Sequence, residues 1–455
     1  MSALSLSEAA TSTGAHLLGS DFPATLRVVT DTRTIAKGDT FLALRGERFD
    51  GHAFVRDAVA KGAAAVVVDD PGVVPDAVPA LLVADTKRAY MDLAAAARRA
   101  FAGRVIAITG SAGKTTTKHL LAQVLAHAYG SDRVLATPAN ENNEIGVSKL
   151  LLQAQPQHEV LVVEMGARHD GEIAELVSVA QPHAGILTNI GDAHLEIFGT
   201  RERLARTKWG LFSSGAQALL NARDSESVLR AAALPAPPLW FGSGEPDVPG
   251  VWVCDERTLL IWQSGEFVRY AIECTLPGEH NRANLAAAVA GALVLGVAAP
   301  AIVDAIAQVH LPEGRYQSIA AANGARLIYD AYNANAAGMI AALDAFAAER
   351  ARRRIAVLAS MAELGTQSPA MHERIGAHAA STGVDALLVG GDFASSLAAG
   401  AGAAGLPRER IVPFETNAQA VRWLREHAGP GDAVLLKGSR KYRMEEIVSA
   451  MRSPA

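Results

Sequence analysis

Short apolar runs recur along the chain, and most end on glycine, asparagine, aspartate or lysine. Residues 104–109, RVIAIT, lead into GSAGKTTT and then into KHLLAQVLAHAY, an apolar, helix-like stretch. This predicts a strand, a tight loop and a helix. Ahead of it, residues 1–84 predict a small α/β unit. A helix over 6–17 precedes the strand-like LRVVTDTRTI, FLALRGERFDGHAFV gives a strand and a polar loop, and VRDAVAKGAAAVVVDD gives a helix stopped at Gly62 and a buried strand. Residues 85–312 predict a second unit. It holds a helix over DTKRAYMDLAAAARRAF, the 104–129 segment, apolar strands in EVLVVE and AGILTN, and a helix over RERLARTKWGLF. Short strands between 216 and 275 predict an antiparallel extension of its sheet, and a long alanine-rich helix follows LPGEHNRAN. Residues 313–455 alternate strand and helix five times, from ARLIYDAY to MEEIVSAM. That alternation predicts a doubly wound parallel sheet. The expected class is therefore α/β in three domains, bounded at 1–84, 85–312 and 313–455.

The length of 455 residues requires more than one domain. Half the residues are hydrophobic and 20% charged, enough for ordinary globular cores. A net charge of −5 argues against nucleic acid or an anionic membrane as main partner. Cys254 and Cys274 sit in no metal-ligand or CxxC spacing and are too few for a disulfide framework, which fits a reducing compartment. The N-terminus lacks the basic start and apolar core of a signal peptide, and no run approaches a membrane span, so a cytoplasmic location is expected.

The candidate chemistry follows strand ends. In TGSAGKTTT, Gly110 and Gly113 let backbone N–H groups approach a phosphate, Lys114 can reach the β/γ-phosphates, and Thr115 can bind Mg²⁺. A full P-loop pattern has a further glycine where Ile108 stands, so the loop is a shortened variant. Asn140, Asn142 and Asn143 form either an Asx-turn cluster or a set of amides facing a polar substrate. Glu164 ends an apolar strand, where a carboxylate can hold Mg²⁺. His194 follows another strand end and is equally a ligand or a structural histidine, whereas Lys208 reads as a solvated helix lysine. His280, Asn281 and Asn284 occupy the first turn of the alanine-rich helix, and N-capping accounts for one of them. In the last unit Asp330, Tyr332, Asn333, Asn335, Glu363, Lys437, Ser439 and Arg440 follow strand ends, the ligand crevice of a doubly wound sheet.

In combination, TDTR (30–33), GERFDGH (46–52), TGSAGKTTT (109–117), TPANENNEIGV (137–147), EMGARHDGEI (164–173), TNIGDAHLEIFG (188–199), PGEHNRANLAAA (277–288), YDAYNANAAGM (329–339), MAELG (361–365) and KGSRKYRMEE (437–446) resemble the Mur ligase family along the full length. DAYNAN, MAELG and KGSR are similar to the member that adds D-alanyl-D-alanine. YDAYNAN separates it from the diamino-acid-adding and folylpolyglutamate-forming relatives, and the joint presence of Lys114, Thr115, Glu164, His194 and Lys208 separates it from a non-catalytic scaffold. The resemblance implies a UDP-substrate domain, a central P-loop ATPase domain with a mixed sheet and a Rossmann-like C-terminal domain. It implies ATP and Mg²⁺, with UDP-N-acetylmuramoyl tripeptide and D-alanyl-D-alanine as substrates, in a monomer. By the same resemblance Thr109, Gly110, Ser111, Ala112, Gly113, Lys114, Thr115, His280, Asn281, Asn284 and Arg315 would bind ATP. Thr115, Glu164, His194 and a carbamylated Lys208 would serve metal, and Lys114, Glu164, His194 and Lys208 would be catalytic. Asp31, Thr32, Arg33, Asn140, Asn142, Asn143, Asp330, Tyr332 and Asn333 would bind substrate. The chain departs from the family pattern at Trp209 and Gly210, at Ala359 and Ser360, and near Asp224, which lacks its paired aspartate.

Overall fold

The computed structural model describes residues 4–46, 49–191 and 195–453. Among these described residues the strands form three open sheets and one two-stranded ribbon. In the first sheet Ala80–Leu82, Ala65–Val68, Thr40–Leu42 and Val28–Val29 are parallel, and His16–Leu18 adds an antiparallel edge. That edge corrects the helix expected over 6–17. The helix is Leu6–Thr13, opened by a reciprocal Ser5–Glu8 cap and closed at Gly14, whose φ of 63° lies in the left-handed region.

The middle sheet has nine strands, in the order Glu266–Ala271, Thr258–Gln263, Gly250–Val253, Leu239–Ser243, Gln217–Asn221, Ala184–Leu187, Arg104–Thr109, Val160–Glu164 and Val134–Ala136. The expectation that the whole 216–275 stretch is antiparallel does not hold. Gln217–Asn221, Leu239–Ser243 and Gly250–Val253 continue the parallel sheet, and only Thr258–Gln263 and Glu266–Ala271 are added by antiparallel pairing. The difference lies in the connections. The Ser225–Arg230 helix and then residues 244–249 carry the chain back before each new strand. At Ser264–Gly265, both with positive φ, a two-residue turn reverses it instead.

In the third sheet Arg326–Tyr329, Ala433–Lys437, Arg354–Ala359, Ala386–Gly390 and Ile411–Phe414 are parallel. Gln317–Ala320, not anticipated from the pattern, adds an antiparallel edge. Helices fill both faces, so the sheet is doubly wound. The last strand returns to lie between the first two parallel strands in chain order, and a ligand crevice opens at the carboxyl ends where that reversal occurs.

Buried apolar side chains join the first and middle units. Leu26, Leu42 and Leu81 share a core with the Thr86–Ala100 helix and with Val105, Leu161 and Leu187. Arg98 fastens that helix by donating from Nε to the Ala180 carbonyl at 2.8 Å and from Nη2 to the Gln181 carbonyl at 3.0 Å. The opposite face of the middle sheet is covered by Lys114–Tyr129 and Glu279–Val294. Among the described residues no helix is long and apolar enough to cross a membrane.

Candidate active site

Val105 to Thr109 are fully buried, and Ile108 lies in the strand, paired in register with Glu164. The absence of a glycine there is therefore no defect, because the turn begins at residue 110. A Cβ on Gly110 would lie 1.8 Å from Thr188 Oγ1, and one on Gly113 2.4 Å from Asn284 Oδ1. Both glycines have positive φ, so no other residue fits without rearrangement. The neighbouring strand end holds the loop. Asn189 accepts from Ala112 N–H at 3.0 Å and donates to the Ala112 carbonyl at 3.1 Å, while Thr188 Oγ1 donates to that carbonyl at 2.6 Å. Thr109 itself spends its hydroxyl on the Met165 carbonyl, at 2.7 Å.

Two lysines converge on one carbonyl. Lys114 Nζ donates to Gly110 O at 2.7 Å and Lys208 Nζ donates to the same atom at 3.1 Å. Lys208 is 1% exposed, which corrects its reading as a solvated surface lysine. The helix Arg201–Trp209 carries it inward, and Trp209 and Phe212 pack edge to face while Gly210 lies against Ala174. Burial, and next the charge of Lys114, hold the Lys208 amine well below its usual pKa. Burial also lowers Lys114; Glu164 opposes this shift and Arg315 adds to it. The site thus gathers cationic groups that lack full compensation, the condition that favours an incoming anion.

Glu164 is the buried counterweight. Its Oε1 accepts from Thr115 Oγ1 at 3.1 Å and from Asn142 Nδ2 at 2.9 Å. Lys118 Nζ stands 3.0 Å from Oε2, an ion contact without hydrogen-bond alignment, and donates to the Ala139 carbonyl at 2.6 Å. A buried carboxylate beside a threonine hydroxyl at the phosphate loop fits a hard divalent cation that takes its other oxygens from phosphate and water. Among the described residues no group of three or more His, Cys, Asp or Glu side chains gathers to hold a metal by itself. His194 lies outside the described residues.

A cavity of about 280 Å³ opens over this loop. The middle unit lines it with residues 111–116, His280, Asn281 and Asn284, and the third unit with Asp330, Asn333, Asn335 and Lys437. Neither His280 nor the two asparagines cap their helix, whose N-cap is Gly278. Asn281 donates to the Pro277 carbonyl at 2.8 Å, and Asn284 accepts from Thr117 Oγ1 at 3.3 Å, bracing the wall behind Gly113. Burial lowers the His280 pKa to about 4, so its ring is neutral at pH 7. Arg315 follows Gly314 in the connection to the third sheet, and its Nε is buried without a hydrogen-bond partner among the described residues. Asp330 accepts from Lys437 Nζ at 2.7 Å. Asn335 caps the next helix and also donates to the Ser111 carbonyl at 3.4 Å, tying the third unit to the phosphate loop.

Other predicted residues lie apart from the cavity. Asp31 is held down to about pKa 2, chiefly by hydrogen bonds from Arg33, with a smaller contribution from Lys149 of the middle unit. Thr32 and Arg33 share that exposed turn of the first unit, outside the cavity lining. Asn140 is exposed, and Asn143 caps the Glu144–Leu152 helix, so the Asx reading accounts for the Asn143 carbonyl. Asn142 is the member of that trio that reaches the site. Asn335 is one of the expected crevice residues, whereas Lys118, Thr188 and Asn189 join the site without having been singled out by the sequence pattern. Lys118 stands one helical turn after Lys114 on the same face, a spacing that could have revealed it.

Three family models cover the chain in order: Mur ligase family, catalytic domain (residues 27–103), Mur ligase middle domain (108–292) and Mur ligase, glutamate ligase domain (314–440). The chain belongs to the Mur ligase family. It is 37% identical to a Synechocystis UDP-N-acetylmuramoyl-tripeptide--D-alanyl-D-alanine ligase, over 93% of this chain and 91% of the relative. It is 34% identical to the Escherichia coli enzyme of that name, over 93% of each. The fold is similar to that of MurF from Acinetobacter baumannii, with a TM-score of 0.86, 31% identity and 99% of both chains covered. It is also similar to a Thermotoga maritima MurF ligase in complex with ADP, with a TM-score of 0.80, 27% identity and coverage of 94% and 97%. Within the Mur ligase frame the departures have local explanations. Ser360 is buried, donates to the Gly390 carbonyl at 3.3 Å and accepts from Phe393 N–H at 2.8 Å. Asp224, without its paired aspartate, accepts from Ile190 N–H at 3.1 Å and so holds the strand end ahead of His194.

Proposed function

We propose that this chain is an ATP-dependent, ADP-forming amide ligase that joins D-alanyl-D-alanine to UDP-N-acetylmuramoyl tripeptide, giving the pentapeptide precursor of peptidoglycan. The observation that carries this reading is the shared cavity. One wall is a phosphate loop and the other is the ligand crevice of a second α/β sheet, so a phosphorylated acid and an amine can meet there. In this reading residues 1–84 hold the UDP-sugar with Asp31, Thr32 and Arg33. Residues 85–312 hold ATP, and residues 313–455 deliver the dipeptide.

A carboxylate oxygen of the tripeptide attacks the γ-phosphorus and ADP departs, leaving an acyl phosphate. The dipeptide amine then attacks the acyl carbon, loses its proton, and the tetrahedral intermediate expels phosphate. Residues 109–115 cradle the phosphates through backbone N–H groups. Lys114 and Arg315 neutralise the transferring phosphoryl group, where positioning and electrostatics supply most of the catalysis. His280, Asn281 and Asn284 line the base and ribose side. Asn142, the member of its trio that reaches the site, faces the muramoyl end, and Asp330, Tyr332 and Asn333 the dipeptide end. Thr115 and Glu164, with His194 and Lys208, would hold Mg²⁺, which when bound neutralises phosphoryl oxygens as a Lewis acid. Lys208 suits this role as a carbamate. Its lowered pKa favours the neutral amine, whose nitrogen adds to the carbon of CO₂ and releases one proton, turning a buried neutral group into an anion.

The acyl phosphate is tested with tripeptide labelled with ¹⁸O in its terminal carboxylate. One labelled oxygen is expected in the released phosphate. Unlabelled phosphate would overturn the mechanism.

A further inference from the structure

From Lys437, the last residue of the Ala433–Lys437 strand, to Arg443 the chain carries four cations, and three have carboxylate partners. Lys437 donates to Asp330 at 2.7 Å, Lys441 donates to Asp392 at 2.6 Å, and Arg443 stands 3.1 Å from Glu446. Arg440 is exposed and has no carboxylate partner among the described residues. Its guanidinium carbon stands 5.3 Å from the centre of the Tyr332 ring. Arg315 stands 4.6 Å from the same centre. A single ring thus gathers one guanidinium from the connection beside Lys114 and one from the crevice of the third sheet.

We propose that Arg440 is the specificity-determining residue that receives the terminal carboxylate of the dipeptide. The inference rests on the ligase reading and adds a recognition element to it. The dipeptide amine must reach an acyl carbon at the phosphate end, on the Lys114 and Arg315 side. An extended dipeptide is about 7 Å long. Its carboxylate therefore falls beyond Tyr332, on the third unit, where the free cation is Arg440. Guanidinium geometry suits this ligand, since two parallel N–H groups match two carboxylate oxygens. The Tyr332 ring, 5.3 Å from the guanidinium carbon, restrains the Arg440 head by a cation–π contact. A single amino acid places its carboxylate about 3.5 Å short of that position. Arg440 therefore selects for both charge and length.

The test compares D-alanyl-D-alanine with D-alanyl-D-alaninamide, which keeps the shape and loses the negative charge. The wild-type enzyme is expected to prefer the free acid by about 100-fold in kcat/KM, the scale of a lost charge-assisted pair. In Arg440→Met, the KM for D-alanyl-D-alanine should rise about 100-fold and the preference should shrink to within about 3-fold. KM for ATP and for UDP-tripeptide should stay within about 2-fold. Arg440→Lys should lie between the two, because a point charge replaces a fork. Arg440→Gln, uncharged but hydrogen-bonding, supplies the same test if the methionine variant does not fold. A variant that keeps the wild-type preference would overturn the assignment, as would one that loses ATP affinity instead. If the wild-type enzyme fails to use D-alanyl-D-alanine at all, the ligase reading itself falls, a result distinct from failure of Arg440.

Discussion

The middle and third units are both open α/β sheets whose strand ends face the same cavity, yet Lys114 and Lys208 at one and Lys437 at the other are treated in opposite ways. In the middle unit Lys114 and Lys208 share one carbonyl oxygen, and Arg315, from the connection into the third sheet, stands close by with an Nε that is buried and unpartnered among the described residues. In the third unit Lys437 is closed on Asp330, and Arg352 and Arg353 are closed on Asp432. Burial pushes the Asp432 carboxyl up, but hydrogen bonds from Arg353 and Arg352 outweigh that and hold it low. The difference separates two uses of charge. Paired ions hold a fold, whereas buried cations without full compensation are costly until an anion arrives, so they mark where ligand charge is received.

The largest break in this contrast comes from the uncompensated side. Lys114→Ala should reduce phosphate release at least about 1,000-fold while leaving UDP-tripeptide affinity within a few-fold. Loss of UDP-tripeptide binding in a calorimetric titration would show that the roles of the first and middle units are wrongly divided. On the compensated side, Asp330→Ala should act on stability. Stranding Lys437 in a buried site should cost about 3–5 kcal/mol, read from the denaturant midpoint, and adding Lys437→Met should recover much of it. An unchanged midpoint would show that the pair is not the closed ion pair described.

Lys208→Ala should lower turnover about 100-fold, and millimolar formate or acetate should restore part of it, since a small carboxylate can stand in for a carbamate. No restoration would count against the carbamate. The smallest effect concerns His280. Its folded pKa of about 4 lies below the ordinary 6.5, so the unfolded chain binds the extra proton first as pH falls. The His280 contribution to stability is therefore complete above pH 6.5 and is lost as pH drops toward 4. His280→Gln should flatten the fall in urea midpoint between pH 6.5 and 4.5. An unaltered slope would mean that the ring titrates normally.

Legibility in the sequence followed the range of the interactions. The third unit is legible almost element by element, apart from the Gln317–Ala320 edge, because each strand and helix carries its own apolar period. The apolar pattern overextends the first helix, because Gly14 acts as a C-cap and the three residues of His16–Leu18 are too few to show alternation. The direction of the strands after residue 216 depends on how short connections return, which period alone does not encode. Within the site, Lys114, Thr115 and Glu164 were legible because loop and strand end place them. Lys208 was not, since a buried and a solvated helix lysine look alike until the neighbours of the helix are known. Asn335 reaches a carbonyl 224 residues away, a contact that no local pattern records.

In the proposed reaction the two units meet to join an activated acid to an amine. Phosphate release from ATP tests it most directly. Release should require UDP-N-acetylmuramoyl tripeptide and D-alanyl-D-alanine together, and should stay at background when either is withheld. Equal release with a single amino acid in place of the dipeptide would contradict the account.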